Sequence, residues 1–199
     1  MSVSGYIYKI FIDPIIAPLH NSAEKYINSQ SNIIDVACGT GSFAFRLSKN
    51  AASVTGIDMS ESMLNIAIKK QKKMKAENIR FLLKDASKLY EYGEKTFDYA
   101  TISMALHQFQ PELAVDIMLE LKRIANEIVV IDYAHPLPKN RYGVITYLIE
   151  RLAGKEHFSN FKKYQSLNGL SSIIEKSGLR IIDSKIRGNG IFVIAKCSS

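Results

Sequence analysis

DVACGTGSF, residues Asp35–Phe43, is the stretch from which the fold is read. A carboxylate sits in the apolar run that opens at Ile33. Two glycines follow with one residue between them, and helix-forming residues resume at Ser42. The run Ile33–Ala37 suits a parallel strand buried on both faces. Gly39 and Gly41 permit a tight turn and remove the Cβ atoms that would keep a ligand off the backbone. The spacing then predicts a helix over Ser42–Asn50, whose first turn presents free N–H groups and the positive end of the helix dipole. Strand, glycine turn and helix in that order form a cradle for the anionic part of a nucleotide-like ligand.

Outward from this stretch, strand and helix signals alternate. Ser53–Asp58 reads as a second strand, and Ser60 caps a helix running through Met63, Leu64, Ala67 and Ile68 at helical spacing. Ile79–Lys84 and Phe97–Ser103 read as the third and fourth strands. Pro111 opens a helix carrying Leu113, Ile117 and Leu121, and Glu127–Asp132 is a fifth strand. Such alternation predicts an α/β fold: a doubly wound, Rossmann-like sheet, helices on both faces, ligands outside the carboxyl ends of its strands. The end of the chain departs from it. Arg180–Arg187 and Ile191–Lys196 are joined by Gly188, Asn189 and Gly190, a hairpin signal that places one antiparallel strand in an otherwise parallel sheet.

The 199 residues suffice for one domain with a sizeable core, and 47% hydrophobic with 23% charged residues describes a globular chain. Residues 1–30 and 136–178 lie outside the alternation. They are expected to form a lid-like N-terminal segment and an insertion covering the ligand crevice, within a single domain over 1–199. The net charge of +7 favours an anionic partner without demanding one. Cys38 and Cys197 have no metal-type or redox-pair spacing. Lys9 interrupts the first apolar stretch with no cleavage-type residues after it, and Pro14 and Pro18 break the run Ile10–Leu19. The expectation is a cytoplasmic protein without a leader or a transmembrane segment.

Three carboxylates stand near the ends of successive strands. Asp35 precedes the glycine turn. Asp58, in GIDMS, can accept hydrogen bonds from both hydroxyls of a ribose. Asp85, in FLLKDAS, can accept from an adenine amino group, while the N–H of Ala86 donates to a ring nitrogen. Met59 is placed to lie against an adenine face, or else to fill the core. The glycine turn would take the pyrophosphate of a dinucleotide or the carboxylate tail of S-adenosylmethionine. Asp58 serves either ligand, whereas Asp85 favours the second.

With these residues in order, the sequence resembles the class I S-adenosylmethionine-dependent methyltransferases. The segments that carry the resemblance are IIDVACGTG, GIDMSESML, IRFLLKDASKL, FDYATISMALHQF and NEIVVIDY. Within that family it looks like the small-molecule branch that includes the ubiquinone and menaquinone biosynthesis C-methyltransferases. YKIFIDPIIAPL and EHFSNFKKYQSLNGLSSIIEKSGLRI are more loosely similar to segments of that branch. Ala37 stands where the family usually has glycine. The resemblance implies a seven-stranded sheet with an antiparallel last strand. It also implies S-adenosylmethionine as cofactor, S-adenosylhomocysteine as product, and cofactor contacts at Asp35, Ala37, Gly39, Gly41, Asp58, Met59, Asp85, Ala86 and Ser103.

The reaction expected is in-line displacement of the sulfonium methyl by a small-molecule acceptor. His107, after the fourth strand in SMALHQF, is the candidate catalytic residue. Tyr6, Tyr8, Tyr133 and His157 are candidate substrate contacts, with a weaker case for His135. The Asn/Asp-Pro-Pro-Tyr motif of amino-group methyltransferases is absent after the fourth strand, and no cysteine is placed to attack a cytosine ring. No metal is expected. KKQKKMK, residues 69–75, reads as a solvated helix end without interleaved aromatics, so nucleic acid is not an expected partner. Monomer and homodimer are both compatible with the sequence. The alternatives left open are an RNA methyltransferase, a non-catalytic S-adenosylmethionine-binding regulator and a nicotinamide-dependent dehydrogenase.

Overall fold

The computed structural model of the protein describes residues 13–199, with side chains from residue 16 onward. Its framework is a seven-stranded sheet: β1 (Asn32–Val36), β2 (Ser53–Asp58), β3 (Ile79–Leu83), β4 (Phe97–Ser103), β5 (Ala125–Tyr133), β6 (Arg180–Arg187) and β7 (Phe192–Ser198), in the spatial order β3-β2-β1-β4-β5-β7-β6. β1 pairs in parallel with β2 on one side and β4 on the other, through Ile34 opposite Thr55 and Ala100. Ile33, Ile34, Ile57, Ile102, Val129 and Val130 are fully enclosed, as the apolar runs of a sheet covered on both faces require. The chain reverses its direction of progress across the sheet between β1 and β4, so a crevice opens there at the carboxyl ends of the strands.

The sequence-derived limits of β2, β4 and β6 coincide with those observed. β1 stops at Val36 because Ala37 turns into the left-handed region at φ 52°. The helix after the glycine turn, α2 (Ser42–Leu47), ends three residues before Asn50. β5 extends beyond Glu127–Asp132 at both ends. β7 is displaced toward the C-terminus, and it lies between β5 and β6, antiparallel to both. The hairpin prediction was thus right in kind, but the antiparallel strand is interior and β6 forms the edge.

α1 (Asp13–Ala23) packs against α2. α3 (Glu61–Met74) begins at the expected cap, where Ser60 Oγ accepts from the Met63 N–H at 3.4 Å, and ends with Lys72 and Lys73 against its negative pole. α4 (Pro111–Ile124) starts on its proline and buries Ala114, Ile117, Met118, Leu121 and Ile124 at helical spacing. The 136–178 segment contains α5 (Arg141–Leu152), α6 (Lys155–Ser166) and α7 (Leu170–Lys176). Asn140 caps α5 by accepting from the Tyr142 and Gly143 N–H groups. α6 packs on the 3₁₀ turn Leu106–Gln108 that follows β4. Among the described residues, no helix is long and apolar enough to cross a membrane.

Candidate active site

At the carboxyl ends of β1 to β4 lies a cleft of about 270 Å³. Its wall includes Ala37, Gly39, Asp58, Met59, Asp85, Ala86 and Ser103, seven of the nine positions expected to contact the cofactor. Asp58 organises one side. Its Oδ2 accepts from the Gly39 N–H at 2.7 Å, and its Oδ1 accepts from the Ser60 N–H at 2.7 Å. One carboxylate thereby fixes both the glycine turn and the start of α3. Each of its oxygens keeps a lone pair for a further donor. Asp85 is arranged in the same way. Its Oδ1 accepts from the N–H and the hydroxyl of Ser87, and these bonds hold the carboxyl below its ordinary range. Met59 lines the cleft while remaining 71% exposed, so it has no core to fill.

The two glycines of the turn differ. A Cβ on Gly39 would meet nothing within 4 Å, so its open side faces the cleft. A Cβ on Gly41 would lie 2.6 Å from Phe81, so this glycine, with φ 75°, serves packing beneath the turn. Asp35 also stands off the cleft wall. It is buried, and its Oδ1 accepts from Thr101 Oγ1 at 2.6 Å. Burial pushes its carboxyl up to about 7, against the opposing pull of the Thr101 hydroxyl and the Ala44 N–H. Cys38, immediately before Gly39, has its thiol pushed up by burial and behaves as a packing group.

Ser103, at the end of β4, is held from α1. Its Oγ lies 3.0 Å from Nε2 of His20, whose ring stacks on Phe43 at 4.4 Å. Burial, reinforced by Arg46, lowers His20 to about 3, so the imidazole is neutral at physiological pH. Nothing in the local sequence marks His20. Its pairing spans 83 residues and leaves no local signal.

The histidines and tyrosines singled out for the acceptor side gather elsewhere. His107 is only 2% exposed and does not line the cleft, although Ala105 and Gln108 beside it do. Its Nδ1 lies 2.6 Å from Asp132 Oδ1, and its Nε2 lies 3.8 Å from Glu150 Oε2. Burial opposes charge on this imidazole, but Asp132 and then Glu150 outweigh it and hold His107 above its ordinary value. Tyr133 donates its hydroxyl to Glu150 Oε1 at 2.7 Å, and His157 Nε2 makes a short contact with Glu150 Oε2. Burial would raise Glu150, but His157, His107 and Tyr133 hold it below its ordinary value. Tyr133 and His157 therefore surround His107 and are absent from the cleft wall. His135 is exposed and meets Gln165 at 3.2 Å. Tyr6 and Tyr8 lie outside the described residues. No residue of 136–178 lines the cleft. α6 instead buttresses it from behind, with Asn160 Nδ2 donating to the Gln108 carbonyl at 2.8 Å.

A family model described as "Methyltransferase domain" matches residues 27–169, which includes the whole cleft. The chain is a class I S-adenosylmethionine-dependent methyltransferase. A demethylmenaquinone methyltransferase of Lactococcus lactis is 31% identical over 179 residues, covering 80% of this chain and 69% of that one. Another from Staphylococcus aureus is 32% identical over 143 residues, covering 67% of this chain and 57% of that enzyme. Among solved structures, the PH0226 protein of Pyrococcus horikoshii OT3 shares the fold at a TM-score of 0.73, with 20% identity over 97% of this chain and 98% of that one.

This methyltransferase cleft fits the cofactor of its family. The open side of Gly39 admits a ligand to the backbone, and Asp58 and Asp85 retain acceptor capacity. Ala86, Met59 and Ile117 supply apolar wall. S-adenosylmethionine brings a methyl group already activated by the sulfonium charge.

Proposed function

We propose that this methyltransferase acts on a small aromatic acceptor of the quinol class and methylates it at carbon. The reading rests on the identity with demethylmenaquinone methyltransferases across 80% of the chain. Asp58 accepts from the ribose hydroxyls, Asp85 Oδ2 from the adenine amino group, and the Ala86 N–H donates to the ring. Gly39 gives the amino-acid tail its close approach. The chain's contribution to rate is chiefly orientation, which can supply about 7–11 kcal/mol of barrier reduction. Ser103, fixed by neutral His20, and Gln108, fixed by Asn160, are the polar groups turned toward the acceptor side. His107 acts as a positioning residue: it anchors the 3₁₀ turn that carries Gln108, through Asp132 and the packing of α6. The protein acts in the cytoplasm, as two free cysteines suit. It works as a monomer or homodimer and does not engage nucleic acid.

The test has two steps. Calorimetry with S-adenosylmethionine, S-adenosylhomocysteine and NAD should show binding of the first two alone. A donor with labelled methyl is then offered demethylmenaquinol with a short side chain, simple catechols and RNA. Label recovered on a ring carbon supports the reading. Label on RNA, or only on oxygen, overturns it.

A further inference from the structure

His107, Glu150 and His157 come from three separate elements: the 3₁₀ turn after β4, α5 and α6. Their ligating atoms all lie within 4.8 Å of one another. Asp132 is ionisable and wholly buried, and a carboxylate only accepts, so the proton on His107 Nδ1 points at Asp132. His107 Nε2 then faces Glu150 Oε2 at 3.8 Å. Unless a positive charge lies between them, these are two acceptors aimed at each other.

The charge count sharpens the point. Two buried carboxylates, Asp132 and Glu150, face two imidazoles. Neutrality is reached in one of two ways: a proton on each imidazole, or one divalent cation with both imidazoles neutral. The arrangement has the hallmarks of the second. Two histidines and one carboxylate form a familiar donor set for divalent first-row metals, with a position left open. A carboxylate behind a ligating histidine, here Asp132, fixes its tautomer and orientation. Tyr133 holds the other oxygen of Glu150, so that only Oε2 is presented. His157, whose side chain is 22% exposed, provides the way in from solvent.

We propose that His107 Nε2, Glu150 Oε2 and His157 Nε2 bind a divalent transition-metal ion of the zinc type, with Asp132 as the supporting carboxylate. Ligand bonds of about 2.0–2.2 Å require His157, the least buried of the three, to swing away from its short contact with Glu150 Oε2. The ion pins α5 and α6 to the turn that forms one wall of the cleft. The chain positions 107, 150 and 157 match no metal-ligand spacing, which is why the sequence did not suggest it. The inference is independent of the acceptor.

The 199-residue chain is stripped with a chelator, equilibrated with Zn²⁺, freed of excess ion and analysed for metal. A parallel sample is titrated with Co²⁺ and followed by its visible absorption. The expected result is one zinc per chain, Co²⁺ bands of a low-coordinate ion, and a higher melting temperature with Zn²⁺ than without. Glu150→Gln and His157→Ala should abolish uptake and the melting shift. Asp132→Asn should weaken affinity by about 10–100-fold, and His135→Ala, outside the cluster, should leave uptake unchanged. His157→Ala removes the most exposed ligand and is the variant expected to stay folded, as circular dichroism would verify. The proposal is overturned if wild type retains no more zinc than His157→Ala, which would assign the balancing charge to imidazole protons. It is equally overturned if His157→Ala and wild type bind zinc alike.

Discussion

The cleft and the histidine cluster lie on opposite sides of one 3₁₀ turn, yet they are built on different plans. Around the cleft, each carboxylate is satisfied by backbone close to it in the turn-and-strand framework: Asp58 by Ser60 and Gly39, Asp85 by Ser87. The bonds hold loops in shape and leave acceptor capacity pointing outward. In the cluster, Asp132, Glu150 and the two histidines satisfy one another across four elements, and almost nothing is left for solvent. The first plan makes a binding surface that a short motif can specify. The second makes a tie between the sheet and its helical cap, and its members must all be present together.

This contrast implies that damage to the cluster registers in stability and damage to the cleft in affinity. Glu150→Ala, which leaves two histidines and a tyrosine hydroxyl without their shared acceptor, should cost about 3–5 kcal/mol in urea unfolding. Retained cofactor affinity in the folded fraction would uphold the separation, and a parallel loss would break it. Asp58→Ala removes charge-assisted bonds each worth about 1.5–3 kcal/mol. Calorimetry should show S-adenosylhomocysteine binding weakened by about a hundredfold, with a smaller change in melting temperature.

Asp35 probes the boundary between the two plans, being buried like the cluster but belonging to the glycine motif. Its folded-state value of about 7 lies above the ordinary value of 3.8. The folded state therefore holds the proton more tightly. The stability this contributes is complete below about pH 4 and is lost as pH rises toward 7. Asp35→Asn should flatten this part of the stability profile by up to about 4 kcal/mol, read from urea midpoints at several pH values. The smallest effect is expected at Ala37, an L-residue held at φ 52°. Ala37→Gly relieves a left-handed strain of about 1 kcal/mol, offset in part by the freer unfolded chain. A rise of a few degrees in melting temperature is the check.

The same contrast explains what could be read from the sequence. Asp58, Met59, Asp85, Ala86 and Ser103 can be placed at the cleft wall from sequence because strand ends and turns are encoded within a few residues of each other. Gly41 and Asp35, also expected at the cofactor, do not line the cleft. Gly41 faces Phe81, and Asp35 faces Thr101, 66 residues away, neither of which the motif itself names. Glu150 escaped notice because its partners lie 17 and 7 residues distant and His107 farther still. Helical periodicity in α5 reports that a face is buried, and says nothing of which imidazole it meets. The hairpin at Gly188–Gly190 was legible from turn chemistry, whereas the insertion of β7 beside β5 depends on tertiary pairing.

That insertion also orders events during synthesis. β5 and β6 are both translated before β7, but each needs β7 as its neighbour. Until residues 192–198 leave the ribosome, the nascent sheet carries an unpaired edge at Ile128–Tyr133, and the β6 segment has nowhere to dock. The parallel half around the cleft can assemble early. The sheet becomes continuous only when β7 pairs with β5 and brings β6 with it as the new edge.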